Sequence, residues 1–267
     1  HGILLITGPT GSGKTTTLYA FLHKVSNPEV KIITIEDPVE YHLDGITQTQ
    51  VEEEKGYTFL SGLRAALRQD PDIIMVGEIR DTDTAKVAIN AALTGHLVFS
   101  TLHTNNAAGT IPRLIDLGVN PKVLASALSV ALAQRLIRTL CNECKQKTEA
   151  NDKEVRIITN VLGAMVTENK QESMNGFTPG TRYEIYKAVG CPHCGGKGYD
   201  DRIGIFEAIV ISPEIEKLLA TNPSEREIKE AALSQGIPSL REDAILKVLA
   251  GLTTIDEVGK VVDLFAD

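Results

Sequence analysis

The 267-residue sequence lacks an apolar run approaching the roughly 18 residues of a membrane-spanning helix, and it lacks a signal segment at its start. We therefore expect a cytosolic chain. It also lacks a basic excess, since its net charge is −8, which argues against direct binding of nucleic acid. It lacks an initiating methionine and enters an apolar run directly after His1, so we expect a fragment. Tryptophan is absent, but hydrophobic residues make up 42%, enough for a sizeable core.

Cysteine is also scarce, and its four residues form two Cys-x-x-Cys pairs, Cys141 with Cys144 and Cys191 with Cys194. In a cytosolic chain such pairs favour a metal over disulfides. Four thiolates can surround one Zn²⁺ and leave no position for water, which predicts a structural site. The long separation of the pairs keeps unmetallated thiols open as an alternative. His193 lies between two of the ligands, and we interpret it as a turn residue rather than a fifth donor.

Residues 8–15, which follow the apolar residues 3–6, fit the phosphate-loop pattern G-x-x-x-x-G-K-[ST]. Its glycines let backbone N–H groups face phosphate oxygens at the positive end of the next helix. Lys14 would reach the β- and γ-phosphates, and Thr15 would supply a hydroxyl for Mg²⁺. A plain Gly/Ser-rich turn is the structural alternative. The predicted nucleotide-binding residues are Gly8, Pro9, Thr10, Gly11, Ser12, Gly13, Lys14, Thr15 and Thr16.

Short β-branched runs alternate with helical patterns over the first 140 residues, which predicts a parallel sheet flanked by helices. Further along we predict a helical insertion within residues 145–180, a strand at 203–211 and a small C-terminal helical bundle. Capping boxes at Ser224/Glu227 and Thr254/Glu257 support that bundle. The predicted strands of the first part are residues 2–7, 30–35, 73–76 and 97–101, and the predicted helices are 16–25, 59–68, 83–93, 107–117 and 126–140.

Polar side chains follow the predicted strands at the edge where a phosphate would lie. Three carboxylates, including Glu40, follow the second strand, and one of them could orient a water molecule. Glu78 ends the third strand, at the position of a Mg²⁺-organising carboxylate. His96 and His103 bracket the fourth strand and could sense a γ-phosphate. Each residue alone has a structural explanation as a cap, turn or surface group, so their order along successive strands carries the hypothesis.

These motifs, at residues 8–15, 35–40, 67–81 and 94–104, resemble those of the secretion-type ATPases that power type II secretion and type IV pilus assembly. The resemblance continues through residues 133–141 and covers nearly the whole chain. It implies an α/β fold with a RecA-like P-loop ATPase core in residues 1–140. A tetracysteine zinc module with a helical insertion would occupy residues 141–204, and a helical subdomain residues 205–267.

The resemblance also implies a role for each residue. Glu40 would polarise the attacking water, Glu78 would hold Mg²⁺ through its water shell, and Lys14 would neutralise phosphate charge. His96 and His103 would sense the γ-phosphate of ATP. Arginines that complete such sites belong largely to a domain preceding residue 1, so we expect slow hydrolysis by this chain alone.

The resemblance further implies a homo-hexamer at the cytoplasmic face of the inner membrane, attached peripherally through an inner-membrane platform protein. The tetracysteine module favours pilus extension or secretion over retraction. Three alternatives stay open: a nucleotide kinase with a zinc lid, a nucleic-acid or conjugation-type motor, and a non-enzymatic zinc interaction module.

Overall fold

The computed structural model describes residues 1–265 and shows strands alternating with helices over the first part of the chain. The described strands are β1 (Gly2–Thr7), β2 (Ile32–Glu36), β3 (Thr47–Gln50), β4 (Ile73–Val76), β5 (Leu97–Leu102), β6 (Leu128–Leu140), β7 (Gln146–Glu149), β8 (Glu184–Lys187) and β9 (Tyr199–Val210). The described α-helices are α1 (Lys14–Val25), α2 (Phe59–Leu67), α3 (Thr82–Leu93), α4 (Thr110–Asp116), α5 (Pro121–Ala127), α6 (Asp152–Thr167), α7 (Pro213–Leu219), α8 (Glu225–Ala232), α9 (Leu240–Leu249) and α10 (Ile255–Val258).

A seven-stranded sheet with the order β3-β2-β4-β5-β1-β6-β9 organises the fold. Every pairing from β3 through β6 is parallel. Strands β2 and β4 are buried at every position, as expected of a parallel sheet covered on both faces. The predicted α/β fold with a parallel-rich sheet is thus confirmed. Because the strands are parallel, the loops after β1, β2, β4 and β5 leave the sheet at the same edge.

Helix α1 packs on this sheet through Leu18 and Leu22, which lie one turn apart on the same helix face. It begins at Lys14, directly after Gly13, whose left-handed backbone (φ 85°) turns the chain from β1 into the helix. The apolar cluster around it therefore fixes the start of α1 at the carboxyl edge of the sheet. The buried cluster also contains Ile6, Tyr19, Ile32, Ile73, Met75 and Phe99.

The helix predicted over residues 126–140 is wrong, because this segment forms strand β6. The helix in this region is α5, which begins earlier at Pro121 with the side chain of Asn120 as its cap. Leucines spaced four apart, from Leu128 to Leu140, suggested a helix. A spacing of four is also even, so it places side chains on one face of a strand as well. Backbone pairing of residues 128–133 with β1 selects the strand.

The chain divides into two compact units. The first contains His1–Ala133 and Ile209–Ala232, with α7 and α8; the second contains Gln134–Ala208 and the described residues from Leu233 onward, with α9 and α10. The predicted C-terminal helices are therefore present, two in each unit. The predicted division into residues 1–140, 141–204 and 205–267 stays a prediction. Within the described residues, no helix is both long and apolar enough to cross a membrane.

The second unit has its own core, built around α6. This helix begins with a capping box between Asn151 and Glu154, and it packs against α9. The predicted helical insertion is thereby confirmed, whereas the antiparallel pair β7–β8 was not predicted because its residues are mostly polar. The buried face of α6 consists of Ile157, Ile158, Val161, Leu162 and Met165.

A buried lysine ties the end of α6 to α9 in this unit. Lys170 is 5% exposed, and its ammonium lies 2.6 Å from a carboxylate oxygen of Glu168 and 2.9 Å from one of Glu242. Burial lowers the pKa of Lys170, but hydrogen bonds to the two carboxylates outweigh it and leave the pKa raised. The charge is therefore retained and fully paired.

Candidate active site and metal centre

The loop between β1 and α1 has the backbone conformation of a phosphate cradle. Gly8, Gly11 and Gly13 have φ values of 155°, 77° and 85°, in the region that glycine adopts without strain. The first turn of α1 contains no acidic residue, and no side chain caps its N-terminus. The positive end of the helix dipole is therefore available to an anion.

Two side chains of this loop fit a phosphate ligand. The Lys14 ammonium donates hydrogen bonds to the carbonyl oxygens of Gly8 (2.9 Å) and Pro9 (3.1 Å), which holds the charge over the loop. The Ser12 hydroxyl is buried and has no hydrogen-bond partner. A buried hydroxyl without a partner is costly unless a ligand satisfies it. Thr15 is half-buried, whereas Pro9, Thr10 and Thr16 are exposed around the loop.

A threonine pair joins the loop to the end of β5. The Thr7 hydroxyl lies 2.7 Å from that of Thr104, and the Thr104 N–H donates to the Thr7 hydroxyl over 2.7 Å. The Thr7 hydroxyl also donates to the carbonyl oxygen of Leu102 (3.1 Å). These bonds place the end of the fourth predicted strand beside the start of the phosphate loop. Sequence reasoning missed Thr7, which it regarded only as the end of a strand.

Glu78 lies just beyond β4 at the same edge of the sheet. One of its carboxylate oxygens pairs with the Arg80 guanidinium, and the other lies 3.3 Å from Nε2 of His103. The hydrogen bond to Glu78 raises the pKa of Arg80. The Thr101 hydroxyl holds this loop by donating to the carbonyl oxygen of Gly77 (2.7 Å). The structure thus brings together Glu78 and His103, as the sequence suggested, and adds Arg80, which sequence reasoning missed.

His96 does not join this group. It precedes β5, and its Nδ1 lies 2.9 Å from the carbonyl oxygen of Ala91. Because β1 and β5 are parallel with Gly2 opposite Leu97, His96 is level with the start of β1 rather than with the phosphate loop. The length of β5, about 20 Å for six residues, separates it from His103. Its role at the γ-phosphate stays a prediction, and its position within this chain does not favour it.

Glu40 lies in the loop between β2 and β3. Its side chain is exposed, and its backbone N–H points to the hydroxyl of Tyr19 in α1 over 3.4 Å. The loop carrying Glu40 therefore contacts the helix that begins at Lys14. The buried carboxylate of this region is Glu36, at the end of β2, which is 2% exposed. Its place directly after the apolar Ile35, nearer the strand than the other two acids, was the signal in the sequence that could have identified it.

The four cysteines of the second unit form one cluster. Sγ of Cys141 lies 3.9 Å from that of Cys191, and Sγ of Cys194 lies 3.8 Å from those of Cys144 and Cys191. In a tetrahedral site with Zn–S bonds of about 2.3 Å, the sulfurs are about 3.8 Å apart. All four lie within 4.8 Å of one another, so the spacing of the sulfurs fits a zinc ion.

The turns around the cluster require glycine. A Cβ on Gly190 would lie 2.5 Å from the carbonyl oxygen of Gly196, and Gly190 has a φ of 102°. The N–H of Cys191 donates to the Cys194 sulfur (3.2 Å) and is the main reason that the pKa of Cys194 falls to about 6. Burial raises the pKa of Cys141 to about 12. The lowered pKa of Cys194 favours the thiolate form that binds a metal, and a bound cation would promote ionisation of the other sulfurs.

His193 lies beside the cluster but is exposed. Its Nε2 is 3.9 Å from a carboxylate oxygen of Asp200, and these two side chains also come within 4.8 Å of the Cys141 sulfur. The four sulfurs already complete a tetrahedral set without the imidazole. The interpretation of His193 as a turn residue stays a prediction.

Comparison with known proteins identifies the family. A sequence profile described as type II/IV secretion system protein matches residues 1–260. The chain belongs to this family. Type II secretion system protein E of Pseudomonas aeruginosa is 48% identical over 261 residues, which are 98% of this chain and 48% of that protein. Type IV pilus assembly ATPase PilB of Thermus thermophilus is 48% identical over 258 residues, which are 97% of this chain and 27% of that protein.

A solved structure of the same architecture agrees. The pilus retraction motor PilT with bound ADP matches with a TM-score of 0.65 and 28% identity, over 98% of this chain and 61% of that one. The secretion-type family expected from the order of the four motifs is thereby confirmed. The chain spans about half the length of the type II secretion relative and about a quarter of the pilus relative. Membership in the type II/IV secretion family argues against the nucleotide-kinase alternative.

Proposed function

We propose that this chain is the nucleotide-hydrolysing part of a motor ATPase that powers type II protein secretion or type IV pilus assembly. The observation that carries the proposal is the phosphate loop with its unpartnered Ser12 hydroxyl, at the same sheet edge as Glu78 and His103. The relatives support it, because one is a pilus assembly ATPase and a structural neighbour holds ADP. The proposed reaction is Mg²⁺-dependent hydrolysis of ATP to ADP and phosphate.

The loop side chains would bind and neutralise the phosphates. On binding of ATP, the Lys14 ammonium would exchange the two loop carbonyls for phosphate oxygens, which are stronger acceptors. The Ser12 hydroxyl would gain its missing partner. Bound Mg²⁺ neutralises charge on the phosphate oxygens. Thr15 would hold it through its hydroxyl, and Glu78 through water molecules.

Two side chains would act on the reacting atoms. Glu40, exposed on the loop beside α1, would accept a proton from the attacking water and orient it. His103, beside Glu78, would contact the γ-phosphate side of the site. The Glu78 carboxylate, which pairs with Arg80 and His103, has further lone pairs that would accept hydrogen bonds from water molecules of the metal.

The wider assembly is also proposed. Hexameric rings of the whole protein would act on an inner-membrane platform protein at the cytoplasmic face, and the cysteine cluster would hold a structural Zn²⁺. The tetracysteine module favours pilus extension or protein secretion over pilus retraction. The relatives include one protein of each favoured role, a secretion protein and a pilus assembly ATPase. Because arginines from a preceding domain would complete the site, the chain alone would hydrolyse ATP slowly.

A hydrolysis assay tests the catalytic proposal. The 267-residue chain should release phosphate from ATP only with Mg²⁺, and Lys14→Ala should lower the rate by about 100-fold, because the phosphates lose their main counter-charge. Lys24→Ala, an exposed lysine of the same helix, is the matched control and should leave the rate unchanged.

Three results would contradict the proposal. Transfer of phosphate to a nucleoside monophosphate in preference to water would indicate a kinase. Binding of single-stranded DNA with a steep dependence on salt would indicate a nucleic-acid motor. Equal rates of hydrolysis by wild type and Lys14→Ala would show that the phosphate loop takes no part in the reaction. A turnover number equal to that of a full-length relative would refute the expectation of slow hydrolysis.

A further inference from the structure

The buried carboxylate of Glu36 is the centre of a network that the proposed reaction does not yet use. The hydroxyl of Tyr19 donates to one carboxylate oxygen of Glu36. The Thr34 hydroxyl (2.5 Å) and the Gln48 side-chain amide (3.1 Å) donate to the other. Glu36 and Tyr19 are 2% and 1% exposed. These three uncharged donors satisfy both carboxylate oxygens of Glu36.

Two members of this network hold the loop that carries Glu40. The N–H of Glu40 lies 3.4 Å from the Tyr19 hydroxyl. Gln48 binds the loop twice more, because its side-chain oxygen accepts from the N–H of Leu43 (2.7 Å) and its amide nitrogen donates to the carbonyl oxygen of Tyr41 (3.2 Å). The loop is thus held at three backbone groups by two side chains, and both side chains are bound to Glu36.

The network also reaches the phosphate loop through the chain itself. Tyr19 belongs to α1, the helix that begins at Lys14, and its ring packs edge to face on Tyr41 with centroids 4.7 Å apart. Burial, followed by the hydrogen bond to Glu36, raises the pKa of Tyr19, which keeps its hydroxyl protonated as a donor. One rigid helix therefore carries both the lysine that meets the phosphates and the tyrosine that meets the Glu40 loop.

We propose that Glu36 is a positioning residue that sets the distance between Glu40 and the bound nucleotide through Tyr19 and Gln48. This inference rests on the proposed function, since it assigns a place to the water-activating carboxylate of that site. Glutamine at position 36 would present an N–H₂ group to donors on one side, so at least one of the bonds to Tyr19, Thr34 or Gln48 would be lost. A displacement of Glu40 of about 1 Å is sufficient to slow the chemical step by about 100-fold.

A double-mutant cycle tests this positioning in the 267-residue chain. Single-turnover hydrolysis of ATP is measured for Glu36→Gln, Glu40→Gln and the double variant, with binding of a fluorescent ATP analogue measured in parallel. We expect Glu36→Gln to lower the rate by about 10- to 100-fold with little change in nucleotide affinity. In the Glu40→Gln background, the same change should have less than about a 2-fold effect, because the group that it positions is already disabled.

Two further variants separate positioning from stability. Tyr19→Phe keeps the packed ring and removes only the hydroxyl. It should slow hydrolysis as Glu36→Gln does, and it therefore tests the positioning even if Glu36→Gln fails to fold. Ser61→Ala removes the reciprocal capping bond of α2 in the same unit, so it should lower the melting temperature and leave the rate unchanged.

Specific results would overturn the inference. Multiplicative losses in the double variant, or a loss of nucleotide affinity equal to the loss in rate, would reduce Glu36 to a structural role. If Glu40→Gln itself hydrolyses ATP at the wild-type rate, both the role of Glu40 and its positioning fail. Hydrolysis that still depends on Lys14 would in that case leave the proposed function standing.

Discussion

Nε2 of His103 lies 3.3 Å from a carboxylate oxygen of Glu78, which joins the end of β5 to the end of β4 across the parallel sheet. We predict that His103→Gln slows ATP hydrolysis about 10-fold, the loss expected when one hydrogen bond to a charged group disappears. His23→Gln, an exposed histidine of α1, is the control. Hydrolysis by His103→Gln at the wild-type rate would show that this imidazole has no role in the reaction.

The same assay decides the role of His96. Because His96 hydrogen-bonds to Ala91 at the opposite end of β5, we predict that His96→Gln changes the rate of this chain far less than His103→Gln. Equal losses in the two variants, with unchanged melting temperatures, would contradict the separation seen along the strand.

The cysteine cluster predicts one Zn²⁺ per chain, measured by native mass spectrometry and elemental analysis of metal-replete protein. Cys144→Ser should abolish the zinc and lower the melting temperature, since the ligand set loses a thiolate. His193→Ala should retain the metal because the four sulfurs complete the shell. Zinc-free wild-type protein would show that the sulfurs are unmetallated thiols, and loss of zinc in His193→Ala would make the imidazole a ligand.

The buried ion group of the second unit predicts a strong dependence of stability on Lys170. Lys170→Met should lower the free energy of unfolding by about 3–5 kcal/mol, because Glu242 is then buried without its partner. Urea unfolding is the measurement. The double variant Lys170→Met/Glu242→Gln should recover part of the loss, since the amide removes the charge yet keeps an acceptor for the Ser239 cap. A double variant less stable than Lys170→Met would refute this account.

The pair between Arg138 and Glu257 predicts a pH-dependent contribution to stability. Two hydrogen bonds of 2.8 and 2.6 Å from Arg138 lower the pKa of Glu257 from its ordinary 4.5 to about 2. Because the folded pKa is depressed, the stabilisation is present above pH 4.5 and is lost as the pH falls from there towards 2.

Urea unfolding over a pH series tests this contribution. Glu257→Gln should be less stable than wild type near neutral pH, and the difference should shrink across that acidic range. Glu230→Gln, which breaks an exposed pair with Arg226, should have little effect at any pH. A difference for Glu257→Gln that stays constant with pH would show that packing, rather than charge, is responsible.

Much of the sheet and of the candidate site was predictable because its signals are local. The strands Gly2–Thr7 and Ile73–Val76 were predicted with the same bounds, since each is a short apolar run that ends at a turn. Glu78 lies at the sheet edge where the sequence suggested it, because the ends of parallel strands share an edge. Strand β6 was missed, because a leucine spacing of four fits a helix and a strand equally and only pairing with β1 decides between them.

Contacts between distant segments account for what the sequence did not reveal. The polar strand β3 has no apolar alternation, and it forms because β2 offers a parallel partner. Glu36 looked like one of three exposed acids after a strand. It is buried because Tyr19 and Gln48, from two other elements, supply its donors. His96 and His103 appeared as a pair in the sequence, but a strand lies between them.

The hydrogen bond between Thr7 and Thr104 spans 97 residues of chain, and this separation has a consequence for synthesis. Strand β1 is made before both of its neighbours in the sheet, because β5 and β6 come from residues 97 onward. The strand that precedes the phosphate loop therefore has no neighbour in the sheet until the residues of β5 have emerged from the ribosome. Nucleotide can assist folding only after β5 has docked, so a ribosome-bound chain that ends before Leu102 should have no measurable affinity for ATP.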